Sequence, residues 1–498
     1  MVFSSILFLF VYLPVVLAVY YIVPARYRNL WLFIVNLVFY GWGEPVYILL
    51  MVFSIALNYA AGLLIARYKL TDDKKARAVL TVNTVVNLAL LIFFKYFDLL
   101  AATLSRIPGI SIPALGLTLP IGISFYTFQT MSYPIDVYRG DTEEQKNFIR
   151  FGTFVALFPQ LIAGPIVRYK DVASQLGTRR LSSEQFSSGV QRFAIGLGKK
   201  VLLANNIGAL WDIYAAAPEL SFAGAWLGAL AFSLQLYFDF SGYSLMALGA
   251  AELLGLQLTT NFDTPYFSRS IREFWGRWHI SFSSWLKDYV YIPLGGNRKG
   301  KARKYLNLLL TFLVSGVWHG VGLTYLIWGA LHGVYQIAGD ATDRLRGRVY
   351  AALHISRTGR LACAWQCLCT FALVNAAWVF FRAASVHDAL YVLTAQFRNV
   401  SLTGLLADIR AIAASFNAKS LLSAAFLAFV LLALAGGVLL DCARRFKAPG
   451  GDLSARMLSL PLIFRWLLYY ALAAFIFAGF LMNNGYFATA ANFLYNNF

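Results

Sequence analysis

A chain of 498 residues that is 59% hydrophobic, 16% aromatic and only 13% charged has too little polar surface to cover a soluble globule of its size. Its formal charge of +19 would suit nucleic acid, but in an apolar chain Lys and Arg collect in cytoplasmic loops and against anionic lipid, so no nucleic-acid partner is expected. Cys363, Cys367, Cys369 and Cys442 form no C-x-x-C pair, which indicates neither a disulfide framework nor a metal site.

Apolar windows of about 17 to 25 residues, each long enough to cross about 30 Å of hydrocarbon as a helix, recur along the chain. The expected fold is an all-α polytopic integral membrane protein, with roughly 11 to 12 membrane helices and re-entrant or kinked segments around a central cavity. The alternation of a membrane barrel is absent. Residues 6 to 23 form the first span; with no basic n-region and no A-x-A site before it, it reads as a retained helix. Residues 30 to 66 form a helical hairpin around the turn GWGEP, 41 to 45. The basic stretch RYKLTDDKKAR, 67 to 77, is cytoplasmic, and the next span covers about 78 to 97, which places the N-terminus outside. Asn36, Asn58, Asn83 and Asn87 are expected to hydrogen-bond between helices.

From about residue 115 the regularity fails. The segments 119 to 140 and 154 to 170 are apolar but broken by Pro120, Pro134, Pro159 and Pro165, which suits short pieces lining a protein-walled cavity. A polar, amphipathic stretch at 171 to 192 precedes apolar runs at 193 to 210 and 223 to 257. The second run carries Asp239 at membrane depth, either as a functional carboxylate or hydrogen-bonded to Tyr237 or Ser241. The segment from Arg269 to Lys304 holds nine Lys and Arg against two acids, a net +7, so it is too charged to span. Its aromatic content suits amphipathic helices in the interface plane. It runs into an apolar stretch to Gly333 that contains His319 and His332. A basic loop at 344 to 360 and apolar runs at about 362 to 381, 421 to 440 and 463 to 482 complete the chain. The whole reads as one membrane domain: N-terminal helices over 1 to 114, a catalytic core over 115 to 340 and C-terminal helices over 341 to 498.

The chemistry is expected where the basic segment meets the buried imidazoles. His354 and His387 lie in polar stretches. His319 and His332 are 13 residues apart, too far for a one-turn metal pair, and no carboxylate or Cys cluster accompanies them, so no metal or bound cofactor is expected. Trp318 and Gly320 beside His319 suggest a shaped cavity wall, with His332 and Asp239 in support. No nucleophile-elbow, Walker or dinucleotide motif opens a helix. A reaction centred on His319 would most simply use the imidazole as general base.

The segments LPIGISFYTFQTMSYPIDVYRG (119 to 140), FPQLIAGPIVRY (158 to 169), LQLYFDFSGYS (234 to 244), EFWGRWHISFSSWLKDYVYIPLGGNRKG (273 to 300) and VWHG (317 to 320) resemble the membrane-bound O-acyltransferases, in particular the bacterial branch that acetylates alginate. The resemblance implies that His319 is the family's invariant His and His279 its other important His. It also implies acyl transfer from a cytosolic thioester to an acceptor on the far side. Leu245 stands where relatives usually have Asp, and Gly276 where they often have Arg.

The combined expectation is an O-acetyltransferase of the bacterial cytoplasmic membrane that passes acetyl from acetyl-CoA to an extracytoplasmic hydroxyl of an exopolysaccharide or cell-wall polymer such as alginate. The expected partners are acetyl-CoA, membrane lipid and an extracytoplasmic SGNH-type acetyltransferase or polysaccharide-synthesis complex. Arg269, Arg272, Arg277, Lys287, Arg298 and Lys299 either contact the donor's phosphates or anchor to the anionic leaflet. His319 either takes the acceptor's proton or receives the acetyl group itself. Transfer from a carrier-protein thioester, as in D-alanylation, and a non-catalytic export role remain as alternatives. The charge pattern makes one prediction: in a Lys299→Cys protein, a membrane-impermeant thiol reagent should label position 299 from the cytoplasmic face and not from outside.

Overall fold

A computed structural model describes residues 2–208, 211, 219–398, 400 and scattered positions between 403 and 474. The expected runs at 421 to 440 and 463 to 482 lie mostly outside the described residues. Among these, all regular structure is helical: the protein is all-α and polytopic.

The described helices are, in order, α1 (Leu13–Ile22), α2 (Arg28–Gly43), α3 (Ile48–Lys69), α4 (Asp73–Leu104), α5 (Ile123–Arg139), α6 (Phe148–Ala156), α7 (Phe158–Leu161), α8 (Tyr169–Gly177), α9 (Ser183–Gly198), α10 (Phe222–Leu253), α11 (Ile271–Trp275), α12 (Ile280–Leu286), α13 (Gly300–His319), α14 (Leu323–Ala341), α15 (Asp343–Ala352), α16 (Arg360–Arg382) and α17 (Val386–Ala395). Three π-helical turns, Phe8–Tyr12, Lys199–Ala204 and Lys287–Tyr291, adjoin them. The chain divides into two compact units. One contains Met1–Ile195 and Tyr243–Thr260, and the other Gly196–Gly242 with the described residues of Asn261–Ala488.

In the first unit the hairpin expected around GWGEP is α2 and α3, and the next span extends over the 32 residues of α4. Helices α3, α4 and α16 are long and apolar enough to cross a membrane. Only 17% of the apolar window of α4 is buried. Its exposed face carries Val82, Val85, Ile92 and Phe93, as a lipid-facing helix requires. The asparagines bond between helices as expected. Asn83 Nδ2 donates to Asn58 Oδ1 at 3.0 Å, and Asn58 Nδ2 donates to Asn87 Oδ1 at 3.0 Å.

Breaks are present at Leu157 and around Pro165, and the backbone groups freed at Leu157 find side-chain amides. Leu157 leaves helical geometry between α6 and α7, with Pro159 in the first turn of α7. The Phe158 N–H donates to Asn36 Oδ1 at 3.1 Å, and the Phe154 carbonyl accepts from Gln129 Nε2 at 3.0 Å and also from Gln160 Nε2. These contacts replace the ladder bond lost at Leu157. The break expected at Pro134 does not occur: α5 runs through it from Ile123 to Arg139 and is buried along most of its length.

In the second unit, α13 and α14 form a tight hairpin. A Cβ at Gly316 would collide with the Tyr325 carbonyl, and one at Gly329 with the Phe312 carbonyl. Gly333, one helical turn beyond Gly329, faces Leu309, so a G-x-x-x-G edge lets the two backbones approach closely. Two expectations are corrected here. The 344 to 360 stretch begins as a helix, α15, because RLRGRVYAA is mostly made of good helix formers and Asp343 lies in its first turn. The guanidinium of Arg357, 2.6 Å from Asp343, holds that carboxyl below its ordinary pKa. In the 269 to 304 segment, Phe274, Trp275, Trp278 and Trp285 turn inward and are buried, so these aromatics pack on protein instead of lying on lipid.

The hairpin makes a prediction. Gly329→Val has no room without separating α13 from α14, and overpacking of this kind costs about 1–3 kcal/mol or more. The detergent-solubilised variant should melt at lower temperature than the unaltered protein, whereas Gly339→Val, where a Cβ meets nothing within 4 Å, should change little.

Candidate functional site

All the sequence-selected site residues lie in the second unit. Their geometry begins with the cap of α11. Ser270 Oγ accepts from the Glu273 N–H at 3.1 Å, and the Glu273 carboxylate accepts from the Arg269 N–H at 2.8 Å. This is a reciprocal arrangement close to a capping box. Glu273 also accepts from Arg277 Nε at 3.2 Å.

After α11 the chain is tied to the loop before it. The Asp263 N–H donates to the Arg277 carbonyl at 3.0 Å, Arg277 Nη1 donates to Asp263 Oδ2 at 2.7 Å, and the Ile280 N–H donates to the Asn261 carbonyl at 3.0 Å. Between these ties His279 is left-handed, with φ 45° and ψ 53°. That conformation costs a non-glycine residue about 1–3 kcal/mol and persists only where neighbours impose it. It turns the imidazole inward: His279 is buried, so it is neither at the lipid surface nor on an exposed cap. Burial lowers its pKa to about 3, which keeps it neutral. Asn261 Oδ1 lies 3.2 Å from His279 Nδ1 and also accepts from the Ser281 N–H at 3.1 Å and the Ser281 hydroxyl at 2.9 Å.

His319 is the last residue of α13 and is buried among rings. Its centroid lies 4.8 Å from Trp318, 5.0 Å from Trp328, 5.2 Å from Phe381 and 5.6 Å from Phe282. Phe282 links it to His279, whose ring stacks on Phe282 at 5.0 Å. On the other side, Trp328 packs edge-on against His332 at 5.1 Å. The three imidazoles therefore belong to one aromatic cluster: His279, Phe282, His319, Trp328, His332. The Gly316 and Gly329 contacts set this arrangement by holding α13 against α14.

His332 is oriented by a single bond. Trp275 Nε1–H donates to its Nδ1 at 3.2 Å, and since an indole only donates, the neutral ring carries its proton on Nε2.

Asp239 is buried, but its partner differs from the two weighed in the sequence. Lys200 Nζ lies 2.6 Å from Asp239 Oδ1, while the Tyr237 hydroxyl donates to Asp441 at 2.6 Å. The π turn Lys199–Ala204 carries Lys200. Its signal was available in the sequence: a Lys pair at 199 and 200 at the start of an otherwise apolar run, with a carboxylate in the following one. Asn261 had no such signal.

The six candidate phosphate ligands separate into two groups. Arg277 is tied to Glu273 and Asp263, and Arg269 to Glu273 at 3.6 Å. Arg272, Lys287, Arg298 and Lys299 are exposed, as is the ion-paired Arg269.

The comparisons with known proteins extend this reading. Residues 140–386 match the family model described as MBOAT, membrane-bound O-acyltransferase family. The chain is 45% identical to the probable alginate O-acetylase AlgI of Pseudomonas aeruginosa over 80% of its own length and 75% of the relative's. It is 37% identical to a peptidoglycan O-acetyltransferase of Helicobacter pylori, covering 79% of each chain. A teichoic acid D-alanyltransferase of Bacillus subtilis is 29% identical over 43% of this chain and 57% of its own.

The ion pair supplies the test for this part of the site. Removing one member of a buried pair leaves the other charge uncompensated, at a cost of about 3–5 kcal/mol. Lys200→Met alone should therefore lower thermal stability strongly, whereas Lys200→Met combined with Asp239→Leu should recover most of the loss. Equal melting of the single and double variants would show that the two charges do not stabilise one another.

Proposed function

The chain belongs to the membrane-bound O-acyltransferase family, and from that premise we propose that it O-acetylates an extracytoplasmic polysaccharide, alginate or a cell-wall polymer, using acetyl-CoA from the cytoplasm. The protein is a multi-pass membrane acyltransferase; the bacterial cytoplasmic membrane as its location is part of the proposal. The carrying observation is that His319 and His279 are buried in one aromatic cluster, on either side of Phe282.

Each step is assigned to a group. The acceptor hydroxyl gives its proton to the His319 imidazole as its oxygen forms a bond to the thioester carbonyl carbon. The tetrahedral intermediate collapses with cleavage of the carbon–sulfur bond, and the proton passes to the departing thiolate, giving free CoA and an acetyl ester. The surrounding rings exclude bulk water, which limits hydrolysis of the thioester. Arg272, Lys287, Arg298 and Lys299 are the exposed cations proposed to meet the phosphates of CoA. Arg269 and Arg277 are proposed to shape the segment through Glu273. An SGNH-type acetyltransferase outside the membrane is the proposed relay to the polymer.

Acetyl transfer is favoured over D-alanyl transfer from a carrier protein because the O-acetylating relatives match about four-fifths of the chain and the Bacillus subtilis D-alanyltransferase 43%. The deciding experiment uses purified protein, acetyl-CoA and His319→Gln. Gln keeps some hydrogen bonding and approximate volume but takes no proton. The variant should insert and bind acetyl-CoA, yet transfer acetyl at least about 100-fold more slowly. His332→Gln should lose less. No turnover of acetyl-CoA by the unaltered protein would remove the donor assignment, and near-normal transfer by His319→Gln would leave that imidazole structural.

A further inference from the structure

Three bonds converge on the side-chain oxygen of Asn261. The Ser281 backbone N–H can only donate, so the Asn261 atom it meets at 3.1 Å is the oxygen, and the amide orientation follows from this contact. The Ser281 hydroxyl donates to the same atom at 2.9 Å. An oxygen that accepts these bonds also faces His279 Nδ1 at 3.2 Å, and a carbonyl oxygen pairs there only with a protonated nitrogen. His279 is therefore the Nδ1–H tautomer, with its lone pair on Nε2.

His332 has the opposite tautomer, since Trp275 occupies its Nδ1 lone pair. Of these two buried imidazoles, His279 has the neighbours that make Nε2 an acceptor. The backbone reinforces the arrangement. Asn261 holds the left-handed residue His279 through its side chain and the next residue, Ile280, through its own carbonyl at 3.0 Å. Asn261 is fully buried and its Nδ2 has no hydrogen-bond partner among the described residues, so the oxygen makes the side chain's hydrogen bonds.

We propose that Asn261 is a positioning residue for acyl transfer, which fixes the His279 ring in orientation and tautomer so that Nε2 presents a lone pair in the site. The inference rests on the O-acyltransferase reading for its functional part. The other tautomer would put a proton on Nε2 in place of that lone pair. Loss of the partner that orients a functional histidine costs about 10- to 100-fold at metal-bound imidazoles and about 10⁴-fold in a serine-protease triad.

The test combines a spectrum with kinetics. Nitrogen-15 histidine spectra of the intact protein in membranes, with His279→Gln used to identify the signal among the five histidines, distinguish a protonated Nδ1 from a lone-pair Nδ1. The unaltered protein should show Nδ1 protonated. Asn261→Leu should lose that state, and its acetyl-transfer kcat/KM should fall about tenfold or more. Asn261→Asp retains an acceptor for both Ser281 and His279, so it should keep Nδ1 protonated and recover most of the activity. This second variant also serves if Asn261→Leu fails to fold. A proton on Nε2 with a bare Nδ1 in the unaltered protein would overturn the proposal. So would Asn261→Leu with unchanged tautomer and kcat/KM, or Asn261→Asp with Nδ1 deprotonated. The spectrum is recorded without donor or acceptor, so it is read separately from the transfer assay.

Discussion

Water is scarce at membrane depth, so every backbone group released from a helix ladder needs a partner supplied by the protein. This chain breaks its helices repeatedly and meets the requirement largely with amide side chains. Asn36 takes the N–H freed at Phe158, and Gln129 and Gln160 converge on the Phe154 carbonyl. Asn261 performs the same service beside His279, where its oxygen takes the Ser281 N–H. An amide donates and accepts without carrying charge, so it repairs a backbone break without the desolvation cost of an ion. The one buried pair of full charges, among the described residues with side chains at most 5% exposed, is Lys200 with Asp239.

The same economy governs how the imidazoles are held. Gly316, Gly329 and Gly333 remove side chains where α13 and α14 meet, so the backbones touch, and the imidazoles these helices carry pack among rings. Trp328 lies between His319 and His332, and Phe282 between His319 and His279. Rings pack against the imidazoles, and the hydrogen bonds from Trp275 and with Asn261 bear on both ring orientation and the nitrogen that carries the proton.

Much of this was legible in the sequence, because the relevant signals are local. Apolar runs marked α2, α3 and α16, and Pro159 marked the break before α7, whereas Pro134 is carried inside a continuous α5. The motif around Trp318 and His319 identified the centre of the cluster. What escaped was long-range or conformational. Lys200 and Asp239 meet across 39 positions: the sequence shows a lysine pair and a carboxylate in successive apolar runs, but not that they pair. The inward turn of Phe274, Trp275 and Trp278 is tertiary, and the left-handed backbone at His279 is a conformation that a histidine does not advertise. The helix α15 was concealed by its charge, which reads as a loop although its residues favour helix.

The π turn at Lys199–Ala204 imposes a constraint on chain length as well as on residue type. Such a turn is an α-helix widened by one extra residue. Each residue of an α-helix advances about 100° around its axis. One more residue in a regular α-helix would rotate one flank against the other by that angle, whereas the widened turn absorbs it locally and leaves the flanks aligned. A one-residue deletion here would therefore be felt at the turn itself, where Lys200 meets Asp239, and little in the helices on either side.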